Sequence, residues 1–339
     1  MKKIYLITAI AVAIASSLAC MGNGGKKGAK TFTNPVIDRD APDPTVIRAD
    51  DGTFYAYSTQ RDGNVPIYKS ADMVNWEYIG GAFPKDGVPR FVPKGGIWAP
   101  DINRIEGKYV LFFSMSTWGG EWECCIGRAV SDSPEGPFTD AKMLFRSKEI
   151  GVQNSIDPVV VQDGGRKYLA WGSFRGIYIA ELTDDGLELD DPKNIVKIAG
   201  TAYEGTYIHK RDGYYYLFAS IGRCCEGMNS TYETVVGRSR SLFGPYVDKQ
   251  GRPMTENHHE VLISGDDKVK GPGHDSQIIT DDKNQDWIFY HGYTASDNAS
   301  SGRKMFLDRV TWHDGWPRIG VDGHPTATDT APAIKNKRK

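Results

Sequence analysis

The chain carries almost no net charge, few cysteines and no sustained helical periodicity, and each shortage bears on what it can do. Its 41 Lys and Arg balance 43 Asp and Glu to a formal −2, so nothing in the charge favours nucleic acid. The only basic run, at residues 335–339, reads as the solvated end of a C-terminal tail spanning 325–339. Of five cysteines, four form the adjacent pairs Cys124-Cys125 and Cys224-Cys225, which lack the two-residue spacer of zinc ligands. That spacing argues against zinc. No stretch beyond the first twenty residues holds a helical apolar period for several turns, so the chain reads as all-β.

The N-terminus carries an address instead. Met1-Lys2-Lys3 precedes an apolar run from Ile4, and small residues lead to Ala19-Cys20, which reads residues 1–19 as an export signal. Leu18-Ala19-Cys20 resembles the end of a bacterial lipobox, with Ser17 where Leu is usual; a lipidated Cys20 would then be a membrane tether. Gly- and Lys-rich residues 20–33 read as a flexible tether. The expected location is the periplasm or cell envelope of a bacterium, with Lys26 and Lys27 favouring the periplasmic side. A plain signal peptide cut nearby is the competing reading. Export permits disulfides, and four cysteines allow three connectivities that sequence does not resolve. Structural bridging or an apolar lining of a cleft is expected.

What the sequence has in quantity is repeated strand text rich in Tyr, Val, Ile and Phe. It recurs from Asp43 to Ser58, Asp101 to Ser114, Asp157 to Ser173, Glu204 to Ser220 and His274 to His291. The openings lie 58, 56, 47 and 70 positions apart, which predicts a radial array of sheets. Asp51-Gly52, Glu106-Gly107, Asp212-Gly213 and Asp314-Gly315 supply hairpin turns. Residues 34–324 divide into five units of roughly 58 residues, enough for four antiparallel strands each. The expected fold is a five-bladed β-propeller. Trp-Asp and Gly-His signatures of interaction propellers are missing, which weakens a scaffold reading.

In a propeller the innermost strands start near one end of the axis, so four carboxylates and an imidazole would converge. Such crowding shifts pKa values or holds a cation. The competing reading is that Asp before Pro merely initiates strands. Glycoside hydrolysis needs one protonated carboxyl group to release the leaving oxygen and one ionised group to activate water or attack the sugar. Glu204 is the only glutamate among the openings and is the candidate acid, with Asp43 as base and Asp157 as the neighbour that favours the protonated acid.

The segments Ala41-Pro-Asp43-Pro, Trp98-Ala-Pro-Asp101, Ser155-Ile-Asp157-Pro, Glu204-Gly and Gly271-Pro-Gly-His274 together resemble glycoside hydrolase family 43, the arabinanase and xylosidase group. Trp171 to Phe174 and Cys224 to Tyr232 are most similar to the arabinan-cleaving members. The resemblance implies an inverting mechanism with Asp43 as general base, Glu204 as general acid and Asp157 as the residue that raises and orients the acid. Inversion requires base and acid about 6.5–9.5 Å apart. His274 matches an axial histidine beside a calcium ion or water cluster; calcium prefers oxygen, so His274 would act through water. The chemistry itself needs no cofactor. Trp98, Trp118 and Phe174 are candidate sugar-stacking residues, and Arg303 resembles a substrate-contacting arginine. Trp122 also falls on a segment expected to ring the cleft. Thr206 stands where many members carry Pro, and Glu121 and Glu123 read as solvated loop charges.

The implied substrate is a plant cell-wall polysaccharide or oligosaccharide, α-1,5-arabinan first. An exo-acting β-xylosidase or galactosidase is the alternative within the family, because fold and carboxylates do not fix the sugar. A non-catalytic sugar-binding lipoprotein and a protein-interaction propeller are the readings from other classes.

Overall fold

Strands of this chain alternate their side chains between two buried faces, which is why Phe54–Tyr57 and Tyr109–Ser114 read as unbroken apolar or small runs. The computed structural model describes residues 30–335 apart from 296 and 298–300. The export signal at 1–19, Cys20 and most of the 20–33 tether lie outside the described residues, as do residues 336–339.

The chain opens with β1 (Thr31–Thr33) and then forms five antiparallel sheets in succession. Blade 1 is β2 (Thr45–Arg48), β3 (Phe54–Tyr57), β4 (Pro66–Ser70) and β5 (Glu77–Gly81). Blade 2 is β6 (Gly96–Ile105), β7 (Lys108–Ser116), β8 (Cys125–Ser131) and β9 (Thr139–Arg146). Blade 3 is β10 (Val159–Asp163), β11 (Arg166–Trp171), β12 (Ile177–Glu181) and β13 (Val196–Ala199). Blade 4 is β14 (Glu204–Arg211), β15 (Tyr214–Ile221), β16 (Glu233–Ser239) and β17 (Glu260–Ile263). In blade 5 the innermost strand is split into β18 (Val269–Gly273) and β19 (Ile279–Thr280), both paired to β20 (Asp286–Thr294), followed by β21 (Lys304–His313) and β22 (Trp316–Ile319). This is the expected five-bladed propeller. Three of the four anticipated turns, at Glu106-Gly107, Asp212-Gly213 and Asp314-Gly315, hold both residues at positive φ, as a tight type I′ hairpin demands.

Five hydrophobic clusters hold the ring together, one between each pair of neighbouring blades. The period of two decides which neighbour a residue meets. Leu111 and Phe113 face Tyr55 and Tyr57 of blade 1, whereas Val110 and Phe112 face Leu169 and Trp171 of blade 3. The ring closes between blades 5 and 1, where Phe32, Ile37 and Phe54 pack with Trp287, Phe289 and Leu307.

The folded body extends beyond the 34–324 span read from sequence. Strand β1 pairs with β23 (Thr328–Thr330), in register Phe32 to Asp329. Phe32 is buried, and Ala331 and Ile334 pack on the same cluster. These short strands escape a search for 58-residue units because they belong to no blade. Asn34 adds a latch: its Nδ2 donates to the carbonyls of Leu307 and Thr326, both at 2.8 Å, and its Oδ1 accepts from Leu307 N–H at 2.9 Å.

Candidate active site

Each blade carries one left-handed residue at the pocket end of its innermost strand region: Asp43, Ala99, Asp157, Gly205 and His274, with φ between 41° and 58°. Proline follows three of them, at 44, 100 and 158. Such backbone persists only where the surroundings fix it, and here the previous blade does so. Asp157 N–H donates to Ser114 Oγ at 2.7 Å, His274 N–H to Ser220 Oγ at 2.8 Å, and Asp43 N–H to His291 Nδ1 at 3.1 Å. Blade 2 thus holds blade 3, blade 4 holds blade 5, and blade 5 holds blade 1.

This register corrects one expectation. Asp101 does not join the other openings, because Ala99 occupies the left-handed position of blade 2 and Asp101 lies two residues further down the axis. There it accepts from Gln277 Nε2 and Asn103 Nδ2, both at 2.6 Å, and from Val160 N–H at 2.8 Å. It is a structural carboxylate below the pocket floor. Glu204 sits one residue before Gly205 and so shares its axial level with Trp98, which precedes Ala99.

A pocket of about 420 Å³ at the axis is lined by Asp43, Asp157, Glu204, Trp98, Trp118, Phe174, His274 and Arg303, all eight of the candidate site residues. Trp118 is 82% exposed at the rim, with its ring edge-on to Trp98 at 6.2 Å. Trp122 lies outside the lining. Glu121 is not a solvated charge: it lines the pocket and binds Arg175 through both oxygens, at 2.7 and 2.9 Å, joining the blade 2 and blade 3 loops. Glu123 does face solvent, paired with Lys148.

The three carboxyl groups are all buried, yet their surroundings drive them apart. For Asp43, burial pushes the pKa up, but Arg303, His274 and His291 outweigh it and hold the group well below the usual range. Arg303 Nη1 lies 2.7 Å from Asp43 Oδ1, and Thr59 Oγ1 donates to Oδ2 at 2.5 Å. His291 Nδ1 lies 3.1 Å from the Asp43 amide nitrogen and 3.2 Å from Asp43 Oδ1, and burial lowers the pKa of this imidazole to about 4. Glu204 and Asp157 shift upward. Burial is the main cause for both; the Glu204 and Asp43 charges further raise Asp157, and the Asp43 charge further raises Glu204.

Glu204 is fixed from two sides, by Ser173 Oγ–H on Oε2 and Tyr232 O–H on Oε1, each at 2.7 Å. Asp157 Oδ2 accepts the Gly205 amide at 3.2 Å, so it touches the backbone that carries Glu204. Thr59, Ser173, Tyr232 and His291 were not singled out as site residues by sequence. A signal was present, since the repeated segments end in Ser58, Ser114, Ser173, Ser220 and His291, a polar residue at the apolar strand's axial end.

Of the three connectivities left open by the sequence, the structure forms a bridge within one dipeptide only. Cys224 and Cys225 are joined to each other and line the pocket, while Cys124 and Cys125 are free and buried at the start of β8. Cys124 and Cys125 therefore do not line the cleft.

Below His274 a cavity of about 20 Å³, room for about one water, is lined by Asp101, Thr206, Asp275 and Gln277 among others. Thr206 Oγ1 and Asp275 Oδ2 are buried without a partner. Among the described residues no group of three or more His, Cys, Asp or Glu is set to hold a metal. Calcium takes six to eight oxygens, so these residues fit an ion only where water completes its shell.

A propeller whose axis carries a low-pKa carboxylate opposite two high-pKa ones has the parts of a glycosidase. Comparison with known proteins agrees. The family described as glycosyl hydrolases family 43 matches residues 32–317, and the chain belongs to it. It is 36% identical over 289 residues to the extracellular endo-alpha-(1->5)-L-arabinanase 1 of Bacillus subtilis, covering 81% of this chain and 86% of that one. It is 34% identical over 307 residues to the extracellular exo-alpha-(1->5)-L-arabinofuranosidase of Cellvibrio japonicus, covering 83% and 86%. The solved structure of Cellvibrio cellulosa alpha-L-arabinanase with arabinohexaose superposes with a TM-score of 0.75 at 33% identity, over 83% of this chain and 95% of that one. By its family the protein is a glycoside hydrolase that uses no cofactor for catalysis.

Proposed function

We propose that this protein is an exported, inverting hydrolase of α-1,5-linked L-arabinofuranosyl chains. Asp43, kept ionised, accepts a proton from a water molecule that attacks the anomeric carbon. Glu204, kept protonated, delivers its proton to the departing glycosidic oxygen, and the C–O bond breaks as the new one forms on the opposite face. Asp157 orients Glu204 through its hold on the Gly205 amide, and the like charges of the two groups oppose ionisation of both at once. Trp98, Trp118 and Phe174 offer apolar faces to the sugars, and Arg303 both fixes Asp43 and reaches the pocket. The observation that carries this reading is the opposite displacement of Asp43 and Glu204 across one pocket. Support for the sugar comes from the two relatives named above, one endo- and one exo-acting on α-1,5-arabinan.

If a calcium ion binds at the axis, the unpartnered oxygens of Thr206 and Asp275 would hold it, and it would add positive charge near the base. Support for export comes from the signal-like sequence of residues 1–19 and from the extracellular relatives, and lipidation of Cys20 would tether the enzyme to the cell envelope. Chromatography of products from linear α-1,5-arabinan tests the assignment, with Glu204→Ala and Asp43→Asn as controls. A ladder of short oligosaccharides marks endo action and arabinose alone marks exo action. Unchanged turnover in either variant would defeat the assignment of roles.

A further inference from the structure

The disulfide between Cys224 and Cys225 takes no part in the chemistry above, yet it lines the same pocket. A bridge between chain neighbours closes almost no loop, so it removes little entropy from the unfolded state. Nor does the loop need it to hold its shape. Thr231 N–H donates to Arg223 O at 3.0 Å, Arg223 N–H to Thr231 Oγ1 at 3.1 Å, and Glu226 N–H to Ser230 Oγ at 3.0 Å. Adjacency alone does not enforce a bridge either. The same dipeptide in blade 2 stays as two thiols, with Cys124 Sγ bonded to Ser147 Oγ at 3.1 Å.

What the bridge does supply is a surface. Two sulfurs and two methylenes, half-buried and without a hydrogen-bond donor, stand at the wall of a cavity whose other apolar faces are Trp98, Trp118 and Phe174. Thiols at the same place would present S–H groups on two independently rotating side chains. The bridge also fixes Cys225 in the left-handed region, at φ 69°, so the dipeptide presents one geometry. The loop runs from β15, whose Ser220 is paired with Glu204, to Tyr232, whose hydroxyl binds Glu204. The disulfide therefore lies on the general acid's side of the pocket, which is the side of the leaving group. Trp118 comes from blade 2 and the disulfide from blade 4, on either side of blade 3.

We infer that the Cys224–Cys225 disulfide is a stacking platform for the C–H face of a furanose ring in the leaving part of the chain, and so a determinant of affinity for pentofuranose oligosaccharides. This rests on the arabinan reading of the site. Aromatic rings serve sugars by offering a flat, dry, polarisable face, and a rigid pair of sulfurs offers the same.

The test compares wild type with Cys224→Ser/Cys225→Ser and Cys224→Ala/Cys225→Ala on linear α-1,5-arabino-oligosaccharides. Steady-state kinetics are joined by calorimetric binding in a Glu204→Gln background and by thermal unfolding. The serine pair should raise KM and weaken Kd about tenfold, as expected for losing one apolar contact face, and the alanine pair less. kcat and the unfolding temperature should stay close to wild type. Unchanged KM and Kd in both variants would overturn the platform. A fall in kcat at constant Kd would overturn it too, because the loop would then act only by positioning Tyr232. If wild type binds the oligosaccharides without cleaving them, the hydrolase reading fails while the platform is still judged by Kd. Neither binding nor cleavage by wild type defeats both.

Discussion

Replacing Arg303 with alanine separates the electrostatic role of this residue from its role in holding substrate. Its Nη1 lies 2.7 Å from Asp43 Oδ1, and both side chains are largely buried. At a charge separation of about 4 Å and an effective dielectric constant of about 20, the pair is worth about 4 kcal/mol, or about three pH units on a carboxyl group. Burial pushes Asp43 the other way and is the largest single influence on it. The two histidines beside it are themselves pushed toward neutrality by burial, so they compensate little at neutral pH. Without Arg303 the Asp43 pKa rises. Since the base must be ionised, the acidic limb of kcat/KM against pH should move up by about two to three pH units. Arg303→Lys keeps the charge and should move the limb less. Loss of a substrate contact alone would depress kcat/KM evenly at every pH. Initial rates on arabino-oligosaccharides across the pH range distinguish the two, and an acidic limb that stays in place in Arg303→Ala refutes the argument. Stability follows the same sign. Asp43 is depressed in the folded state, so its contribution is present above the ordinary carboxylate pKa and is lost as pH falls through the folded value. Arg303→Ala should therefore flatten the loss of unfolding temperature in acid.

Tyr232→Phe removes the O–H donor on Glu204 Oε1. That bond lowers the pKa of Glu204, so the alkaline limb of kcat should move up, and kcat should fall by about tenfold or less, the worth of one hydrogen bond; a downward limb would contradict it. Asp157→Ala removes the acceptor of the Gly205 N–H beside Glu204, and kcat should fall at every pH, whereas an unchanged kcat would end its role in orienting Glu204. Asp101→Ala strips the acceptor from Gln277 Nε2, Asn103 Nδ2 and Val160 N–H. It should cost about 3 kcal/mol of stability in a thermal or urea melt while leaving kcat at 25 °C intact. A collapsed kcat with an unchanged melt would instead place Asp101 in the chemistry.

Periodicity made the propeller legible, because every blade repeats the same two-faced strand text and both faces meet a neighbouring blade. Register within the period was less legible. Asp43-Pro44 and Asp157-Pro158 carry the carboxylate at the left-handed position, but in Trp98-Ala99-Pro100-Asp101 the residue before Pro is Ala, and the eye slips to the nearest aspartate. The proline, not the carboxylate, marks the register. Pairing of cysteines was not legible at all: both dipeptides follow the second strand of their blade, but Cys125 begins a buried strand and Cys225 sits in a loop. Their fate depends on burial, which sequence identity of the pairs conceals.

The two halves of the proposed reaction are built by different parts of the ring. Glu204 and its partners Ser173 and Tyr232 come from blades 3 and 4, fixed by contacts within and between those two sheets. Asp43 depends on the seam instead. Its amide is held by His291 and its charge by Arg303, both of blade 5. Arg303 is in turn placed by the segment that precedes blade 1: Ala41 N–H donates to Arg303 O at 2.8 Å, and Arg303 N–H to Asp40 Oδ1 at 2.9 Å. Asn34, Val36 and Ile37 run along β21 just before that point and fasten it. Thr59 apart, Asp43, the proposed base, therefore acquires its partners only when the last blade meets the first, whereas the partners of Glu204 need no closure. Closing the ring is what turns a buried aspartate, which burial alone would protonate, into a carboxylate that stays ionised.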